Sequence, residues 1–146
     1  MLTKPVLEMI YDAASIQRWN DHIRPNRGFT ELDKQSHKML YAYVLAKIDE
    51  SDRKAKINWR HLIEGGIFEF FHRIVLTDIK PPIFHKLMAK KGDLLNDWVL
   101  EQLKKEGLDQ IEGGFFDRFQ RYLKEPEYSY FEKRILKASH YLATNW

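Results

Sequence analysis

The segment GIFEFFHRIVLTDIKPP, residues 66–82, sets Glu69, His72 and Arg73 into a helical pattern that is otherwise apolar on nearly every side. An ionised carboxylate taken out of water costs several kcal/mol even after relaxation, so Glu69 requires a partner. Arg73 lies four residues on and therefore on the same helical face, where the two groups would neutralise each other. The second candidate is a metal cation. Glu69 and His72 have the Glu-x-x-His spacing found in carboxylate-bridged metal sites of helical proteins. His37, in DKQSHKMLYAYV, and His140, in LKASHYLA, lie on or beside the inward faces of two further helical patterns. Three helices thus each direct a potential ligand inward. Imidazole and carboxylate together suit Zn, Fe, Mn, Co or Ni, although a lone inward histidine also serves as a hydrogen-bonded core residue.

Two other places carry groups fit for chemistry. Arg18 and Trp19 adjoin in QRWND. The arginine fork matches a phosphate or carboxylate, and the indole offers a face to a base or sugar. The bland counterpart is an arginine packed over a tryptophan at the surface. Asp78 follows the apolar helix in TDIKPP. A stiff turn aims a side chain well, which suits a catalytic acid, and the same residue type also makes Asx-turns ahead of prolines. No phosphate-cradling glycine loop, Gly-x-Ser-x-Gly elbow or dinucleotide fingerprint occurs.

Helices must position these groups, because helical periodicity dominates and alternating strand patterns are scarce. The first helix is expected over 5–16, with Leu7, Ile10, Ala13 and Ala14 inward. A turn-rich loop, NDHIRPNRGF, comes next. Thr30, with Asp33 three residues on, opens a second helix to about Asp49 that is expected to bury Leu32, Met39, Leu40, Tyr43 and Val44. Asn58 caps the third helix, which runs to about Leu76. Gly65 and Gly66 weaken it locally or admit a close neighbour. The prolines of TDIKPP break it. A short helix restarts at Pro82, and three more are expected over 93–105, 112–124 and 127–145. The reading is an all-α fold: one domain spanning 1–146, a bundle of about six or seven helices. The last pattern reaches Trp146 without a glycine cap or polar tail, so its helix is expected to continue beyond this chain.

Composition bounds the function. The chain has 146 residues, enough for one core, and is 44% hydrophobic and 31% charged, which places it among globular rather than disordered proteins. It contains no cysteine, which removes disulfides, thiolate metal sites and cysteine nucleophiles and fits a cytoplasmic location. No apolar run is long enough to cross a bilayer. The net charge of +3 is spread among interspersed acids, and no basic stripe interleaved with aromatics stands out, which argues against nucleic acid. The aromatic-rich segments GGFFDRFQRYL and EYSYFEKRIL are expected to serve as core or as a homodimer seam.

Taken in order, these fragments resemble the HD-domain metal-dependent phosphohydrolases, and among them the bacterial 5′-deoxynucleotidase branch. The Arg18–Trp19 pair, His37 in QSHKM, the Asp78 turn and EKRILKASHYLA match that branch's Arg-Trp, first metal ligand, Gly-Asp-x-Pro-x-Pro turn and closing helix in part. The departures are specific. The name-giving His-Asp pair falls on Glu69 and Phe70, the acid one turn later is Arg73, the late Asp is His140, and the turn has Thr77 and Lys80 in place of its glycine and first proline. The resemblance implies an HD-like helical bundle with one of two outcomes. In the first, His37, Glu69 and His140, with His72 as an alternative ligand, hold a divalent metal. Arg18 and Trp19 then bind a nucleotide-like phosphomonoester, and Asp78 protonates the leaving oxygen or orients water. In the second, the site is catalytically inactive and binds a small ligand or a protein partner.

Overall fold

The computed structural model describes residues 3–19, 25–76 and 81–144. Within them lie α1 (Lys4–Asp12), β1 (Gln17–Trp19), β2 (Pro25–Thr30), α2 (Glu31–Asp52), α3 (Trp59–Val75), α4 (Pro81–Lys105), a short 3-10 turn (Leu108–Gln110), α5 (Phe115–Lys124) and α6 (Tyr130–Leu142). The fold is all-α, with six α-helices among the described residues. No helix is long and apolar enough to cross a membrane among those residues.

The helix starts follow from capping chemistry. The Thr30 hydroxyl accepts a hydrogen bond from the Asp33 amide at 3.2 Å, and the Thr30 amide donates to the Asp33 carboxylate at 2.9 Å. The box expected from the sequence therefore forms, and the bonds from Thr30 hold the Asp33 carboxyl below its usual range. Asn58 caps α3 by accepting from the His61 amide at 3.1 Å. Lys91 interrupts α4 with φ −142° and ψ 30°, so that helix is two pieces, and the second begins where a separate helix over 93–105 is expected.

Two expectations are corrected. Part of the loop expected over 20–29 is a strand: β2 pairs antiparallel with β1, Gln17 opposite Thr30 and Trp19 opposite Pro25. Three residues are too few to show an alternating pattern, so β1 leaves no periodic signal. The orientation of α2 is also different. Its buried stripe is Glu31, Lys34, Lys38, Ala42 and Ala46. The alanines let α6 approach closely, and the polar end of the stripe faces α3. Leu40, Tyr43 and Val44, on the other side, are exposed, Leu40 at 65%. At α1 the expectation holds in part: Ala13, just past the helix, is buried and Ile10 packs against the core, whereas Val6 is the buried residue of the helix itself and Leu7 and Ala14 are exposed. Replacing Leu40 and Val44 by serine, singly, is expected to change the unfolding free energy by no more than about 0.5 kcal/mol. A core leucine truncated there would cost about 2–5 kcal/mol, so urea denaturation separates the two orientations.

The core gathers around α3. Phe68 stacks on Phe119, rings 4.7 Å apart and nearly parallel, and meets Phe115 edge-on at 5.1 Å. Leu62, Val99, Leu103, Leu108 and Leu136 are among the buried residues that pack with them. Phe115, Phe119 and Tyr122 of the GGFFDRFQRYL segment therefore serve the interior, while Tyr130 and Phe131 reach solvent. The two glycines of α3 admit close neighbours. A Cβ on Gly65 would lie 2.8 Å from the Tyr122 ring and 2.9 Å from Leu136, and one on Gly66 would collide with the Met39 sulfur. Gly65 thereby seats Tyr122 against α3, which matters for the cavity beside it.

Candidate functional site

A cavity of about 320 Å³ opens where α2, α3, α4, α5 and α6 converge. Its apolar wall is Phe70 on α3, Phe84 and Met88 on the first piece of α4, and Leu123 on α5. Its polar wall contains Glu31, Lys34 and Lys38 of α2, and Glu69, His72 and Arg73 of α3. The groups that interrupt the oily helix therefore share one hollow.

Glu69 is matched from two other helices. Lys38 of α2 donates its ammonium to Oε2, and the Tyr122 hydroxyl of α5 donates to Oε1 at 2.5 Å. Lys38 is almost wholly enclosed, its side chain 3% exposed, while that of Glu69 is 35% exposed. Burial, with the Glu69 charge beside it, pushes the Tyr122 phenol far above its usual range, so Tyr122 stays a donor. Arg73, the partner expected for Glu69 from spacing, reaches Glu31 at 3.4 Å and lies over the Phe84 ring at 5.4 Å. The arginine side chain follows the cavity wall back to α2, while Lys38 comes up from beneath the carboxylate.

His72 is buried, and its Nε2 lies 3.0 Å from Asn96 Oδ1. The Asn96 amide nitrogen donates to the Leu123 carbonyl at 3.3 Å. That bond fixes which end of the amide is oxygen, so Nε2 of His72 must carry the proton and donate. Loss of water lowers the His72 pKa below its usual 6.5, against opposing effects of Asn96 and Glu69, with Arg73 adding to the lowering. The unfolded chain then takes up a proton that the folded chain refuses. Stability is full above pH 6.5 and declines below it, until the folded-state pKa is passed. A His72→Gln variant should show a flatter loss than the parent below that pH in urea titrations. Parallel curves would sink the assignment.

The structure brings Glu69, His72 and His140 to the cavity lining and leaves His37 outside it. The His37 ring is exposed and packs on Phe29, centroids 5.5 Å apart, because α2 turns Lys38 inward and its neighbour outward. Asp78 lies outside the described residues. Arg18 and Trp19 are described through their backbone in β1 alone. Among the described residues no group of three His, Asp or Glu is arranged to hold a metal ion. The donors also fit a metal poorly. Both Glu69 oxygens are already engaged, by an ammonium and a phenol, and His72 presents a proton at Nε2.

Lys38, Tyr122 and Asn96 have no counterpart in the sequence reading. One signal for Lys38 was present. Positions 31, 34, 38, 42 and 46 form a single helical stripe, and its alanines mark the side on which another helix packs. Nothing local pointed to Tyr122 or Asn96, whose roles depend on how α4 and α5 return to α3. No protein-family model, curated protein or solved structure matches the chain.

Proposed function

We propose that the protein is a binding domain for a small organic anion with an apolar body, and that it performs no metal-dependent hydrolysis. One observation carries this reading: the Lys38 ammonium sits on the carboxylate that the HD-domain resemblance gives to a metal ligand, with Tyr122 on the other oxygen. A cation covalently part of the chain supplies the charge balance there. The rest of the lining suits a ligand. Among the described lining residues, the cations Lys34, Lys38 and Arg73 outnumber the carboxylates Glu31 and Glu69 three to two. Phe70, Phe84, Met88 and Leu123 offer an apolar wall. A mostly apolar hollow with a few converging polar groups is the usual form of a small-molecule site.

The test pairs two measurements on the purified protein. Thermal unfolding is followed with a panel of aromatic carboxylates and nucleoside monophosphates, and phosphate release from the same nucleotides is assayed with Mn, Co, Ni and Zn. A true ligand at a hundred times its Kd should stabilise the fold by about 2.7 kcal/mol, with phosphate release at background. Turnover abolished by Glu69→Gln would overturn the proposal and favour a divergent phosphohydrolase acting on a nucleotide-like phosphomonoester.

A further inference from the structure

The outer face of α6 carries a pattern that the cavity does not use. Tyr130, Arg134, Lys137 and Tyr141 are exposed, and Lys133 lies half-buried beside them. Their spacings of three, four, seven and eleven residues put all five along one side of the helix. The one acid of α6, Glu132, is buried on the opposite side, where it accepts from the Asn58 amide at 2.9 Å. Two adjoining hollows of about 600 and 460 Å³ flank this stripe and share Lys133, Lys137 and Tyr141. The second also takes in His85 and His140 and, at its inner end, Tyr122 and the carboxylate of Glu69, which Lys38 and Tyr122 already engage.

Lys133 and Lys137 stand four residues apart, a like-charge pair that costs the helix a few tenths of a kcal/mol. Lys133 is also drawn partly out of water. Its ammonium lies 4.6 Å from the centre of the Tyr122 ring and donates to the Glu125 carbonyl at 2.9 Å. Burial lowers its pKa, opposed by Glu69, Glu125 and Glu127. An anion arriving beside these two ammoniums would relieve both penalties. Tyr130 and Tyr141, eleven residues apart, stand about 16 Å apart along the helix axis, with three cations between them. Phosphates spaced along a chain, flanked by exposed π-faces, match that arrangement, since base–aromatic stacking combined with backbone-tracking cations is how single strands are held without sequence preference. A duplex hides its base faces and would meet only the charges.

We propose that the Tyr130–Lys133–Arg134–Lys137–Tyr141 face of α6 binds single-stranded nucleic acid, contrary to the expectation drawn from the interspersed charges of the sequence, because the helix gathers onto one side residues that form no run along the chain. The face adjoins the cavity, whose Glu69, Tyr122 and His140 also line the second hollow, but Lys38 and Arg73 play no part in it.

Fluorescence anisotropy of a labelled short oligothymidine, titrated with the full chain over a range of salt, tests it. Three neutralised phosphates predict a log–log salt slope of about −2. Arg134→Gln and Lys137→Gln should each flatten the slope by about 0.7. Tyr141→Ala should weaken binding about fivefold or more at fixed salt and leave the slope unchanged. Lys38→Met should leave binding intact, and circular dichroism would confirm that these variants remain helical. Absent or salt-independent binding, binding retained in the Arg134→Gln/Lys137→Gln double variant, or equal affinity for polyglutamate would overturn the proposal. The last outcome would assign the face to an acidic protein partner.

Discussion

Glu69→Gln is expected to lower the unfolding free energy by about 3 kcal/mol, the low end of the range for breaking a buried ion pair. Lys38→Met should cost only about 1 kcal/mol, close to the median value of an exposed pair. The asymmetry comes from what each substitution leaves behind. Without the carboxylate, the Lys38 ammonium stays in a site where its side chain is 3% exposed, facing a neutral amide. Without the ammonium, Glu69 keeps the Tyr122 donor at 2.5 Å and remains 35% exposed, so water can solvate it. Methionine also refills most of the lysine stem's volume. The double variant should be more stable than the sum of the single losses, because neither partner is then left uncompensated. For a chain of this size the loss for Glu69→Gln corresponds to a fall in Tm of about 6–12 °C. Urea denaturation of the four proteins at one pH measures the cycle. The arrangement is refuted if Lys38→Met proves the more damaging of the two, or if both cost under about 0.5 kcal/mol.

Phe68→Ala should cost about 3–5 kcal/mol, enough to threaten folding. Phe68 is 1% exposed and stacks on Phe119 while touching Phe115 and Tyr122. Its removal opens a hole bounded by three rings that are all held by α5, and a close-packed surrounding relaxes only partially into such a hole. The loss also reaches the cavity, because Tyr122 would lose one of the surfaces that hold its hydroxyl on Glu69. Phe68→Leu, which keeps most of the volume, should cost roughly half as much and bind the same ligands. If Phe68→Ala unfolds at a urea midpoint within error of the parent, the α3–α5 aromatic contact is not where the fold places it.

The helices were legible because their evidence is local. Thr30 with Asp33 and Asn58 before an apolar run each act within one turn of themselves, and each cap forms as the sequence expects. That Glu69 needs a partner was also legible, since a carboxylate among Ile67, Phe68, Phe70 and Phe71 makes the demand by composition alone. Which partner answers was not. Arg73 and His72 were the candidates within reach along the chain, yet the groups that arrive are Lys38, 31 residues away, and Tyr122, 53 residues away. The direction of α2 differs from the hydrophobic expectation for a related reason. Leu40, Tyr43 and Val44 outweigh Ala42 and Ala46 in hydrophobicity, but close approach of α6 selects small side chains over oily ones.

By itself the sequence determined an all-α domain, its capped helix starts and the presence of an acid that cannot stay uncompensated. Tertiary structure decided which face of α2 turns inward, and with it that an ammonium rather than the His37 imidazole meets that acid. The reason is one of range. Caps and periodicity are settled by neighbours a few residues apart, whereas the counter-charge of a buried group is settled by whichever helix the packing of small residues brings alongside.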